Sequence, residues 1–197
     1  MFQVIFTLIA VLGATVHLAL SPKRRRSGAA IAGTYLLHLL FFYVGLMGVL
    51  TAYAHVFRPV QTSASIGWST SPYEYEVGMA DLTVGVLGVL CLKFAGDFWL
   101  ATAIANAVWL LGDAVGHVRQ MTLNNNHASN NSGIFLVTEI VMPLVILALT
   151  LYHRRCEGNT PGRARIKTEQ MSVDRSTLQS RDRQHRTPSK SAGHIHC

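Results

Sequence analysis

The stretch AAIAGTYLLHLLFFYVGLMGVLTAYAHVF, Ala29–Phe57, decides the fold. It contains no Asp, Glu, Lys or Arg. A helix needs about 20 mainly apolar residues to cross the ~30 Å hydrocarbon core of a bilayer, at about 1.5 Å per residue. Ala29–Phe57 exceeds that length. Taken alone it is also compatible with a buried helix of a soluble protein. Its neighbours exclude that reading. Met1–Leu20, Pro72 to about Phe94, Phe98–His117 and Ile134–Tyr152 are similar runs. Together they leave too little polar surface for a water-soluble fold. The expectation is an all-α integral membrane bundle of about five transmembrane helices. They span about 1–20, 29–57, 72–94, 98–117 and 134–152, within a domain covering 1–153. A basic, disordered cytoplasmic tail follows at 154–197.

The 50% hydrophobic content of the 197 residues does not discriminate between classes. The segregation of charge does. Of the 17 Lys and Arg residues, four are Lys23–Arg26, one is Lys93 and ten follow Tyr152. Only Arg58 and Arg119 fall in the second and fourth connections. Basic residues collect on the cytoplasmic side, so the N-terminus is expected outside and the C-terminus in the cytoplasm, in the cell membrane. An odd number of spans agrees. The first run is not read as a cleaved signal, because its basic cluster follows the apolar segment instead of preceding it. The net charge of +7 is assigned to topology and to anionic lipid headgroups. No aromatic residue accompanies the basic tail, so nucleic acid is not expected as a partner. Cys91, Cys156 and Cys197 fall toward the reducing side and are expected unpaired. The tail holds few apolar residues and cannot bury a core, which is the basis for reading it as disordered.

Punctuation is clear in places. Ser21-Pro22 and Arg58-Pro59 end the first two helices. Val60–Thr70 reads as a polar connection. Ser71-Pro72-Tyr73-Glu74 reads as a helix start, with Ser71 as N-cap, Pro72 at the first position and Glu74 closing a capping box. The Asn-rich run Asn124–Gly133 is turn-forming. Gly45-Leu-Met-Gly48-Val-Leu echoes Gly85-Val-Leu-Gly88-Val-Leu, which Gly-rich spans produce by chance.

Ionisable groups inside a bilayer are costly and raise a functional question. Glu74, Glu76 and Asp81 lie in the first turns of the third run, and Asp113 and His117 at the end of the fourth. Glu139 lies about 8 Å into the fifth. With His55, these groups gather toward the outer face. Thr102, Asn106, Trp109, Asp113 and His117 recur at helical spacing, so they share one face, and Asp113 and His117 are an i, i+4 pair. The neighbouring stripe, Ala101, Ala105, Gly112 and Gly116, is small enough to admit a second helix. The fourth helix is therefore expected at the bundle centre, packed through Gly112 and Gly116.

Glu76, Asp113, His117, Glu139 and His55 are the candidate lining of an outward-facing pocket for a cation, proton or small polar ligand, as in a transporter or sensor component. Five spans are few for a transporter, which points to a homo-oligomer. A scaffold protein whose polar groups lock helices together is the competing class. A third is a membrane enzyme with a metal at His117 and His127, since imidazole with carboxylate suits several transition metals. No paired-Cys or His-Glu-x-x-His motif supports that class, and no Walker loop, dinucleotide fingerprint or serine elbow is present. No cofactor is identified.

Particular blocks resemble a known family. They are Ile66-Gly67-Trp68, Ser71-Pro72-Tyr73, Glu76-Val77-Gly78-Met79-Ala80-Asp81-Leu82, Phe98-Trp99-Leu100-Ala101, Gly112-Asp113-Ala114-Val115-Gly116-His117, Asn126–Gly133 and Pro143-Leu144. Over about 35–152 the chain resembles small prokaryotic membrane proteins of domain-of-unknown-function family 6790. The resemblance implies a multi-spanning membrane protein and supplies no substrate. It also implies a Pro-Gly turn near Ala128-Ser129-Asn130 and a non-acidic residue at Asp81. This chain departs from both, which lowers the expected role of Asp81.

Overall fold

The computed structural model describes residues 2–24 and 27–158. All regular structure among the described residues is helical. In chain order the helices are α1 (Phe2–Leu20), α2 (Gly28–Phe57), α3 (Pro59–Ile66), α4 (Tyr73–Leu90), α5 (Asp97–Asn124) and α6 (Ile134–Gly158). The segment Leu39–Leu46 in the middle of α2 is π-helical.

The surface is inverted relative to a water-soluble protein. Leu12, Val108 and Val115 are 63%, 71% and 70% exposed, whereas Thr102, Asn106, His117, Asn131 and Glu139 are buried. In a bilayer the lipid tails solvate the leucines and valines, and the polar groups turn inward to each other. The molecule is an integral membrane helical bundle. Four helices, α1, α2, α5 and α6, are long and apolar enough to cross a membrane. The expected span at 72–94 falls short of that standard, because the 18 residues of α4 carry Glu74, Glu76 and Asp81.

The closest packing lies between α2 and α4. A Cβ added at Gly48 would sit 2.9 Å from the Gly85 Cα, and one at Gly85 would sit 2.8 Å from the Val49 N. At Gly45 it would lie 2.9 Å from the Val89 N, and at Gly88 it would strike Gly45 backbone. Only hydrogen fits at these crossings. The two Gly-x-x-Gly segments that look like a chance echo in sequence are therefore the two halves of one antiparallel seam. Small residues let backbones approach where no hydrophobic force drives helices together. Because Leu39, Leu40, Tyr43, Val44, Gly45 and Met47 are all buried, α2 presents an unusually wide interior face around its π segment.

Several expectations require correction. Val60–Thr70 is not simply a loop, since Pro59 opens a short helix there. That helix closes on Gly67 in the left-handed region, φ 72. The Trp68 N–H reaches the Ser63 carbonyl and the Gly67 N–H the Ala64 carbonyl, the Schellman pattern. Glu74 does not close a capping box, and its carboxylate is engaged elsewhere. The fourth run does not stop at His117 but continues to Asn124, and Asn125 ends it in the left-handed conformation, φ 51. Asparagine tolerates that conformation better than most residues. The last helix runs past Tyr152 to Gly158, so Arg154 and Arg155 are helical. The remainder of the expected tail, 159–197, lies outside the described residues, as do Arg25 and Arg26.

The expected packing of α5 through Gly112 and Gly116 is not what occurs. A Cβ at Gly112 would meet nothing within 4 Å, and one at Gly116 only the Trp68 ring at 3.8 Å. The polar stripe of α5 does face inward: Thr102 and Asn106 are 0% and 3% exposed. It is the small stripe that is left uncovered.

Candidate functional site

One end of the bundle is closed by a polar latch centred on Asn131, which is fully buried. Its Nδ2 donates to the carbonyls of Asn126, at 2.9 Å, and His117, at 3.3 Å. Its Oδ1 accepts from the Trp68 indole N–H at 3.1 Å and lies 2.8 Å from His117 Nδ1. Two carbonyls need N–H donors and the indole can only donate, so the orientation of the Asn131 amide follows from its partners. His117 Nδ1 must then carry a proton. Trp68 and Phe135 pack on the imidazole with ring centroids at 5.4 and 5.5 Å.

The other ring nitrogen, Nε2, faces Glu139 Oε2 at 3.5 Å. That oxygen has no hydrogen-bond partner, and Glu139 is 3% exposed. Gln3 from α1 reaches Glu139, and the Gln3 amide oxygen accepts from Thr138. Tyr43, on the π segment of α2, directs its hydroxyl to the Thr138 carbonyl at 3.4 Å. Behind this group, the Trp109 indole donates to Asp81 Oδ1 at 2.8 Å. Asp81 Oδ2 and Asn106 Nδ2 are buried without partners. Asp113 is half-buried and close enough to interact electrostatically with both Asp81 and Glu139.

Three carboxyl groups thus approach each other from α4, α5 and α6, with one imidazole beside them. α4 contains no Lys or Arg, and those of α5 and α6, Arg119, Arg154 and Arg155, lie toward the helix ends. The Arg154–Asp97 pair, at 2.5 Å, sits at the opposite end of α5. Buried charge without a counter-charge is strongly unfavourable. The cluster therefore needs a proton or a bound cation to be neutral.

The structure distributes the expected site residues unevenly. His117, Glu139 and Asp113 fall in one cluster. His117 turns to Asn131 and Glu139, not to its i−4 neighbour Asp113. His55 belongs to a separate group. Its Nδ1 donates to Glu74 Oε2 at 2.7 Å, and Ser63 Oγ donates to Glu74 Oε1 at 2.6 Å. That group pins α3 against α2 and α4. Glu76 is exposed on α4 and joins neither group. The two candidate metal ligands, His117 and His127, stand in different surroundings, His117 buried in the latch. His127 is exposed, with Nε2 at 3.1 Å from Asn125 Oδ1. Among the described residues, no group of three or more His, Cys, Asp or Glu side chains is placed to hold a metal ion.

Sequence reading missed Asn131, Trp68, Gln3 and Tyr43, and discounted Asp81. Gln3 and Asp81 carried a readable signal, since Gln3 is the one amide of apolar α1 and Asp81 is the acidic residue deepest in α4. Asn131 did not, because its role arises from partners in three separate segments.

A bundle with lipid-facing leucines and inward-facing carboxyls is an integral membrane protein with an intramembrane polar centre. The chain belongs to the family of unknown function DUF6790, whose model matches residues 1–159. The match takes in the first helix as well as the 35–152 region where the motif blocks lie. No curated protein and no solved structure matches the chain.

Proposed function

We propose that this protein binds a proton within the membrane, at the His117–Glu139 pair, and serves as part of a transporter or sensor. One observation carries the reading. The latch commits His117 Nδ1 as a donor, which leaves Nε2 and the unpartnered Glu139 Oε2 facing each other at 3.5 Å with one labile proton between them. Asp81 and Asp113 extend the acidic environment inward and provide further positions for that proton. Intramembrane carboxyl and imidazole chains are the usual material of proton relays.

The topology that suits this role has the N-terminus outside and the C-terminus in the cytoplasm, with α4 as a fifth span. The 18 residues of α4 extend about 27 Å, close to the hydrocarbon thickness. Basic residues at 23–26, 93 and beyond 152 would then contact anionic headgroups on the inner leaflet. A reporter fused after Cys197 tests the orientation, and an outside signal would reject it.

Infrared difference spectroscopy of the purified protein across a pH series tests the site. The expected result is a protonated-carboxyl band that disappears in Glu139→Gln and changes in His117→Asn. Identical difference spectra for the wild type and both variants would reject the proton site.

A further inference from the structure

A cavity of about 580 Å³ lies between α4 and α5, away from the Asn131 latch. These two helices approach each other much less closely than α2 and α4 do. Ala80 from α4 and Ala105, Val108 and Gly112 from α5 form its apolar walls, and Trp109 and Asp113 supply its polar features. Val108 lies about 17 Å along α5 from Asp97, near mid-membrane, and is 71% exposed. The groove therefore opens sideways into the lipid. Its volume falls in the range that accommodates a small organic molecule, roughly 300–1,000 Å³.

The electrostatics of the groove select the sign of the ligand. Asp113 is its carboxyl, Asp81 and Glu139 lie within electrostatic reach, and neither helix places a Lys or Arg at that depth. The Trp109 ring is held by its hydrogen bond to Asp81, so its orientation is set before any ligand arrives. A fixed indole beside a carboxyl favours a cation. The apolar walls disfavour a strongly hydrated ion such as an alkali metal, which would need a shell of oxygens.

We propose that the α4–α5 groove binds a lipophilic organic cation, of the quaternary ammonium or phosphonium class, drawn laterally from the bilayer onto Asp113 and Trp109. The proposal rests on the proton reading only in treating the carboxyl cluster as neutralised by a bound cation or proton. It uses Asp113 where that reading uses Glu139.

The test is equilibrium binding of tetraphenylphosphonium to the full-length protein in detergent, with tetraphenylborate as the control of equal size and opposite charge. Circular dichroism and size-exclusion chromatography establish that each variant is folded. Saturable tetraphenylphosphonium binding is expected in the wild type and in Asp113→Glu. It should be weaker by about tenfold or more in Asp113→Asn, a loss of about 1.4 kcal/mol, and absent in Gly112→Leu, whose side chain fills the groove. Tetraphenylborate should not saturate. Equal binding of both ions, or equal affinity in the wild type and Asp113→Asn, would overturn the proposal. So would a wild type that binds neither ion and is a dimer that Gly112→Leu makes monomeric, since a second copy would then cover the groove. The infrared experiment reads Glu139 and this one reads Asp113, so either reading can fail without the other.

Discussion

Glycine pairs on two faces of this bundle look alike in sequence and behave oppositely. Gly45 and Gly48 on α2 meet Gly85 and Gly88 on α4 with backbone atoms in contact. Gly112 and Gly116 on α5 have the spacing of a helix-packing motif, yet Gly112 faces open space. Small residues spaced three or four apart permit a close approach, but whether it happens depends on what the other faces of the helix require. α5 carries Thr102, Asn106, Trp109 and His117 on one side, and burying these outweighs burying two glycines. An unburied Asp or Asn in lipid costs up to about 3.5 kcal/mol on insertion scales. Leaving a glycine against lipid costs far less. The polar stripe turned inward and the small stripe was left outside.

The largest test of this contrast is Gly88→Leu. Its side chain has no space short of separating α2 from α4, and overpacking of this kind costs about 1–3 kcal/mol even when only methylenes collide. Here backbone atoms obstruct it, so the variant is expected to yield no monodisperse protein on size exclusion. Recovery of a wild-type-like peak would show that the glycine seam is not what joins these helices.

Asn131→Ala is expected to rank second. It removes the acceptor for the Trp68 and His117 N–H groups and the donor to two carbonyls. Unsatisfied buried groups cost roughly 1–3 kcal/mol. The thermal unfolding midpoint in detergent should fall clearly, and an unchanged midpoint would separate the latch from stability. Ser63→Ala should cost about 1 kcal/mol, since Glu74 keeps its bond to His55. Calorimetry of that variant sharpens the comparison by measuring the loss of one hydroxyl, which lies against both Glu74 and the Pro59 carbonyl, in the same bundle.

The smallest expected effect lies at Gly112. Gly112→Ala adds a methyl where nothing stands within 4 Å and removes backbone freedom from the unfolded chain. It should stabilise by about 0.4–1 kcal/mol, read as a small rise in unfolding midpoint. A fall in midpoint would mean that the groove is occupied by protein, and the contrast between the two glycine pairs would collapse.

Much of the fold was legible because apolar length and charge placement are properties of local stretches. Four of the expected spans, at 1–20, 29–57, 98–117 and 134–152, correspond to helices α1, α2, α5 and α6, with the last two longer than expected. Their extensions, to Asn124 and Gly158, were hidden because polar residues at a helix end that rises out of the membrane read as loop. The site was legible in part. His117, Asp113 and Glu139 stood out as ionisable groups in apolar segments. Glu76 stood out equally but is exposed on α4. A helix start allows either an interior or an outward orientation, and only the rotation of α4 about its axis distinguishes them.

By itself, the sequence determined that this chain forms membrane helices, roughly where they run, and that polar groups concentrate toward one end of the bundle. Those conclusions follow from transfer free energies summed over contiguous residues, which require no knowledge of neighbours. The tertiary structure alone decided which glycines touch, which carboxyls share an environment and which nitrogen of His117 carries a proton. Each of these depends on helix rotation and on partners up to 135 residues apart, such as Gln3 and Thr138. Lipid gives no directional preference among helix faces of similar apolarity, so packing and hydrogen-bond complementarity across the whole bundle set them.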